Sequence, residues 1–158
     1  MMANIFSASD IVSMGIQIEK NGKDFYNALV NLTKSQKAKE LYKFLSGEEQ
    51  KHIIVFQNIL NRLDNSLTES YPGEYLEYMK TLASEYVFTQ AGKGESLAKS
   101  AKTDKEAIDL GIGFEKDSII FYEGMKKSIP QANHKVVDEL IAQEASHLRR
   151  LSDLKKSL

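Results

Sequence analysis

Apolar residues recur every three or four positions along most of this chain, the spacing of amphipathic helices, and no sustained two-residue alternation suggests a strand. The stripe Ile11, Ile18, Gly22, Phe25, Leu29, Leu32 predicts a first helix from about Ser9 to Leu32, with Ser9 or Asp10 as its cap. A second, from about Gln36 to Leu63, carries Leu41, Leu45, Glu49, His52, Phe56 and Ile59 on one side. Asp64-Asn65-Ser66 and Tyr71-Pro72-Gly73 then break the pattern. A shorter helix follows from about Glu74 to Phe88, and the polar stretch Gln90 to Glu95, with its two glycines, reads as linker. Helices from about Asp104 to Ser128 and from Gln131 to Lys156 complete the set, with Pro130 in the lapse between them.

The pattern repeats. Gly15-Ile16-Gln17-Ile18-Glu19-Lys20 aligns with Gly111-Ile112-Gly113-Phe114-Glu115-Lys116, and without a gap Phe25-Tyr26 aligns with Phe121-Tyr122. Two helix hairpins with equivalent inward faces predict an all-α, pseudo-twofold four-helix bundle. Residues 64–103 become a long crossover carrying the extra short helix, because the second and fourth helices must run parallel. One domain spanning 1–158 is expected at this length.

Composition narrows the function. The 21 Lys and Arg nearly balance the 22 Asp and Glu, for a net charge of −1, which gives no footing for nucleic acid. No uninterrupted apolar run is long enough to span a bilayer, and the opening residues lack the regions of a secretory signal, so a cytoplasmic location is the expectation. The absence of cysteine removes disulfides, iron–sulfur clusters, thiolate zinc sites and cysteine nucleophiles. A redox protein of this composition must work through His, Tyr or carboxylate-bound metal.

The repeat carries such a ligand set. Glu19 is followed by Glu49-Gln50-Lys51-His52, and Glu115 by Glu144-Ala145-Ser146-His147. On a helix, positions i and i+3 project from one face, so each Glu-x-x-His can deliver an oxygen and a nitrogen to one ion. Both pairs lie within apolar stripes, where unpaired carboxylates would be strongly unfavourable and metal coordination is the usual remedy. Four carboxylates offset the charge of two divalent ions, and oxygen-rich ligation with two imidazoles suits iron or manganese, with zinc also fitting. A lone Glu-x-x-His is ordinarily a solvated pair. Two copies, each with a matched upstream Glu inside repeated sequence, point to a dinuclear site of Glu19, Glu49, His52, Glu115, Glu144 and His147. Tyr26 and Tyr122 each sit two turns beyond Glu19 and Glu115, placed either to orient a ligand carboxylate on the opposite helix or to serve as core aromatics.

Other candidates are weaker. His134 reads as a surface residue, Glu123 as solvated, and Glu48 as out of register with His52 and pointing away. Gly92-Lys93-Gly94 lacks the strand–loop–helix setting of a phosphate loop.

On these residues the chain resembles the ferritin-like superfamily, and within it the rubrerythrin di-iron domain, over nearly its whole length. The resemblance implies two iron ions. His52 and His147 would each cap one ion, Glu49 and Glu115 or Glu144 would include the bridging ligands, and Glu19 would be terminal. It also implies reaction of ferrous iron with peroxide or dioxygen, a homodimer, and a separate electron-donor protein, since the rubredoxin-like segment usual in rubrerythrins is missing. The family's extra glutamate, three residues after the third-helix ligand, is Ser118 here. The competing expectations are an iron-handling protein (ferroxidase, carrier or store) and a metal-stabilised structural bundle without catalysis.

Overall fold

A computed structural model describes residues 7–63 and 73–158. The chain start and the turn signals at Asp64-Asn65-Ser66 and Tyr71-Pro72 lie outside the described residues. Helix α1 spans Ala8–Leu32. Its cap is Ser7, not the expected Ser9 or Asp10: the Ser7 hydroxyl accepts from the Asp10 amide at 3.1 Å, and the Asp10 carboxylate accepts from the Ser7 amide at 2.9 Å. Asp10 therefore closes the capping box from the third helical position. Thr33 leaves the helix in extended backbone, Ser35 caps α2 (Gln36–Arg62), and this three-residue turn folds the two helices against each other. Leu32, expected in the buried stripe, is 51% exposed, because the last residue of α1 borders an open groove with Ala101 and Lys102.

Helix α5 spans Asp104–Met125 and relaxes into a 3-10 turn at Lys126–Ser128. A second 3-10 turn at Gln131–Asn133 leads into α6, His134–Lys156, so the last helix becomes α-helical three residues later than expected. Hydrogen bonds fix the directions. Tyr26 reaches Glu115 and Tyr122 reaches Glu19, so α1 and α5 are antiparallel. Contacts of His52 with Gln143 and of Glu48 with His147 do the same for α2 and α6. With α1 and α2 joined as a hairpin, α2 and α5 run parallel, as the repeat requires. The result is an all-α bundle of ferritin-like form.

The crossover is richer than expected. It carries α3 (Gly73–Glu85), a 3-10 turn at Val87–Thr89 and a further helix, α4 (Lys93–Ser100), in what reads from sequence as linker. An eight-residue polar helix is marginal alone. Its stability comes from Asn21 on α1. The buried Asn21 side-chain oxygen accepts from the amides of Lys93 and Gly94 at 3.2 Å each, satisfying two donors that the helix start leaves unpaired. Its amide group donates to the carbonyls of Phe88 at 2.7 Å and Gln90 at 2.6 Å. Phe88 then inserts into the core between Phe25 and Phe114, with ring centroids 5.7 and 4.7 Å away.

Gly94 lies against the backbone carbonyl of Asn21, where a Cβ would collide with backbone atoms that have no means of yielding. Gly94→Ala is expected to lower stability by about 2–3 kcal/mol through displacement of α4. Denaturant unfolding checks this; a change below about 0.5 kcal/mol, the range of ordinary surface substitutions, would mean the helices are not in such contact.

Candidate metal centre

All six predicted ligands meet in the interior. Glu19, Glu49, Glu115 and Glu144 have no exposed surface, and His52 and His147 retain 2% each. Their donor atoms fall into two groups, each within 4.8 Å: Glu19, Glu49, His52 and Glu144, and Glu49, Glu115, Glu144 and His147. Glu49 and Glu144 belong to both groups, while Glu19 and Glu115 each belong to one. The helical i, i+3 spacing brings Glu49 beside His52 and Glu144 beside His147, and α1 and α5 each add one carboxylate from across the bundle. The two imidazole planes are nearly parallel, at 19°, with centroids 5.7 Å apart.

Hydrogen bonding leaves the inward atoms bare. Both oxygens of Glu49 and of Glu144, one oxygen each of Glu19 and Glu115, and Nδ1 of both histidines are buried without a hydrogen-bond partner. Such a concentration of orphaned acceptors is unfavourable in a core unless a cation sits among them. The Nδ1 of His52 lies 2.7 Å from Glu144 Oε1 and 3.4 Å from Glu19 Oε2. Its Nε2 lies 2.8 Å from Gln143 Oε1, an atom that only accepts, so the ring proton sits on Nε2 and Nδ1 offers a lone pair. Lone pairs this close to carboxylate oxygens need positive charge between them. The residues present fit a pair of divalent cations.

Without a cation, protons take that place. Burial, reinforced by Glu144, pushes the Glu19 carboxyl up to about 7. Burial and Glu144 hold Glu115 well above the carboxylate range. Burial alone would push His52 down, but Glu19 and Glu144 outweigh it and raise the imidazole to about 11. Burial opposes ionisation of Glu144 as well, yet the close approach of Glu115 and His52 leaves it below its ordinary value. His147 goes down, through burial first.

The tyrosines sit as placed by the repeat. Tyr26 donates to Glu115 Oε1 at 2.8 Å, and Tyr122 to Glu19 Oε1 at 2.6 Å. In each carboxylate the oxygen left over is the orphaned inward one. Each phenol thus aims a carboxylate of the opposite helix at the centre. Ser118 is buried, donates to the Phe114 carbonyl at 2.8 Å, and pairs at 2.8 Å with the hydroxyl of Tyr86, a crossover residue that no sequence signal marks. Tyr42 stacks on Tyr26 with its hydroxyl buried and without a partner.

Glu48 does not point away. One position before Glu49, it turns about 100° around α2, which is toward α6 and not toward solvent. Its Oε1 lies 4.0 Å from His147 Nε2. Gln143, one position before Glu144, makes the matching approach to His52 and is missed by a reading of the ligands alone. The repeat holds the signal for both. His134 is engaged with the Ile129 carbonyl at 3.1 Å, and Glu123 is half exposed beside Lys126.

A family model described as rubrerythrin matches residues 10–155. No curated protein matches the chain. A crystal structure from Thermotoga maritima, provisionally described as that of a ferritin-like diiron-carboxylate protein, is 27% identical, with 98% of each chain covered and a TM-score of 0.74.

Proposed function

This chain belongs to the rubrerythrin family, and on that footing we propose that it holds two iron ions and oxidises them with peroxide or dioxygen. The observation that carries the reading is the set of buried, partnerless carboxylate and imidazole atoms converging from four helices. Glu19 and His52 would serve one ion, Glu115 and His147 the other, with Glu49 and Glu144 shared as bridges. Four carboxylates against two divalent cations leave the filled centre near neutrality. When bound, two ferrous ions supply the two electrons that, with two protons, cleave the O–O bond of hydrogen peroxide to give two molecules of water.

The chain's own residues do the remainder. Tyr26 and Tyr122 hold Glu115 and Glu19 in their ligating orientation. Burial first, then the neighbouring carboxylates, keeps both phenols far above their usual pKa, so each retains its proton beside the centre. The surrounding apolar side chains Phe56, Phe114, Phe121 and Leu45 exclude bulk water. Reduction by a separate donor protein and pairing as a homodimer belong to the same reading. No described helix is long and apolar enough to cross a membrane.

Anaerobic loading with ferrous iron, followed by stopped-flow mixing with peroxide, tests the reading. Oxidation well above the rate of free ferrous iron is expected. A Tyr26→Phe, Tyr122→Phe double variant should still bind two ions but react about tenfold more slowly or worse. Oxidation no faster than that of free iron would remove the catalytic proposal.

A further inference from the structure

We infer that Glu48 and Gln143 make the two metal positions unequal, the one served by His147 holding a divalent cation more tightly than the one served by His52. This deepens the dinuclear reading above and rests on it. Both histidines face the centre through Nδ1 and turn Nε2 toward the seam between α2 and α6. At that seam the two halves of the repeat differ. His52 Nε2 meets the neutral amide oxygen of Gln143 at 2.8 Å. His147 Nε2 faces the carboxylate of Glu48 at 4.0 Å. Each partner immediately precedes the bridging glutamate of its own helix, so these are equivalent positions carrying different chemistry.

An imidazole whose outer N–H points at a carboxylate is the more basic donor at its other nitrogen, and the added negative charge attracts the cation directly. The opposing charges are weaker. Lys51 holds the other Glu48 oxygen at 2.9 Å, but its side chain is 75% exposed and screened by water, whereas Glu48 is only 17% exposed. Arg150 stacks over the Phe44 ring, 4.6 Å from its centroid, and acts on His147 less strongly than Glu48 does. Once Nδ1 is fixed on a cation, His147 presents Nε2–H toward the Glu48 carboxylate, whose charge acts on it across 4.0 Å. The His147 position therefore fills first and empties last.

Anaerobic titration of the full chain with cobalt(II), read by calorimetry and by ligand-field absorption, tests this without any turnover. Wild type is expected to bind two cobalt ions in two steps, with dissociation constants about tenfold or more apart. Glu48→Gln should weaken the tighter step by a similar factor and merge the two. Gln143→Glu should strengthen the weaker step, and His147→Ala should abolish the tighter one and leave the remaining step insensitive to Glu48→Gln. Two cobalt ions bound with steps that neither Glu48→Gln nor Gln143→Glu alters would overturn the inference and leave the dinuclear reading standing. Fewer than two cobalt ions per wild-type chain would overturn both.

Discussion

Glu144→Ala is expected to strip the protein of both metal ions while leaving a helical fold. Glu144 offers an oxygen to each of the two donor groups, so its loss breaks both. Outer partners of metal ligands are typically worth 10–100-fold in affinity, and a shared ligand should exceed that, so a loss of at least about a hundredfold is expected at each position. Glu19→Ala and Glu115→Ala provide the contrast. Each touches one group only and should spare the other ion better than Glu144→Ala does. The fold should survive, since removing one of four crowded carboxylates relieves repulsion in the metal-free core. Metal content after dialysis, with circular dichroism as the fold check, decides the matter. Retention of two ions per chain by Glu144→Ala would show that the ligands are misassigned.

The second large effect is a reversal of pH dependence on removing metal. In the metal-free protein Glu19 titrates near 7, against 4.5 when unperturbed. Between those values the folded chain holds a proton that the unfolded chain has lost, so stability falls as pH rises across that window, by about 3 kcal/mol for this group. His52, raised to about 11, acts in the same direction: its contribution is full below about 6.5 and is lost as pH rises through 11. Glu144, depressed, contributes in the opposite sense and only in acid. Chelated protein should therefore melt several degrees lower at pH 8 than at pH 6. Protein saturated with metal should do the opposite, because the ligands must shed their protons to bind, and a cation at a hundred times its dissociation constant adds about 2.7 kcal/mol. Parallel melting trends with and without metal would contradict a centre built from these groups.

Much of this was legible because helix geometry converts spacing into direction. Glu49 with His52, and Glu144 with His147, could share a face only if both segments were helical, and the apolar residues around them made burial the natural outcome. The parallel run of α2 and α5 followed from the repeat. What escaped the sequence was decided by tertiary contact. Helix α4 is short, polar and glycine-bearing, and what holds it is an asparagine some seventy residues earlier in the chain. Local propensity carries no trace of such a partner. Register alone points Glu48 away from His52, but the neighbouring helix of the bundle occupies that direction, so its carboxylate faces His147. Spacing left open whether Glu115 or Glu144 is shared between the donor groups. Only the mutual distances of the donor atoms separate them, with Glu144 in both groups and Glu115 in one.

The pseudo-twofold pairing of hairpins has a consequence for how the centre comes together. Either half alone supplies two carboxylates and one imidazole, half of what a pair of cations requires. Two detached halves would have to find each other by diffusion, and the centre would come apart on dilution. The covalent strap between them, pinned by Asn21, instead sets an effective concentration of the order of millimolar or more. Metal capture then becomes a property of a single molecule, undiminished however scarce the protein is.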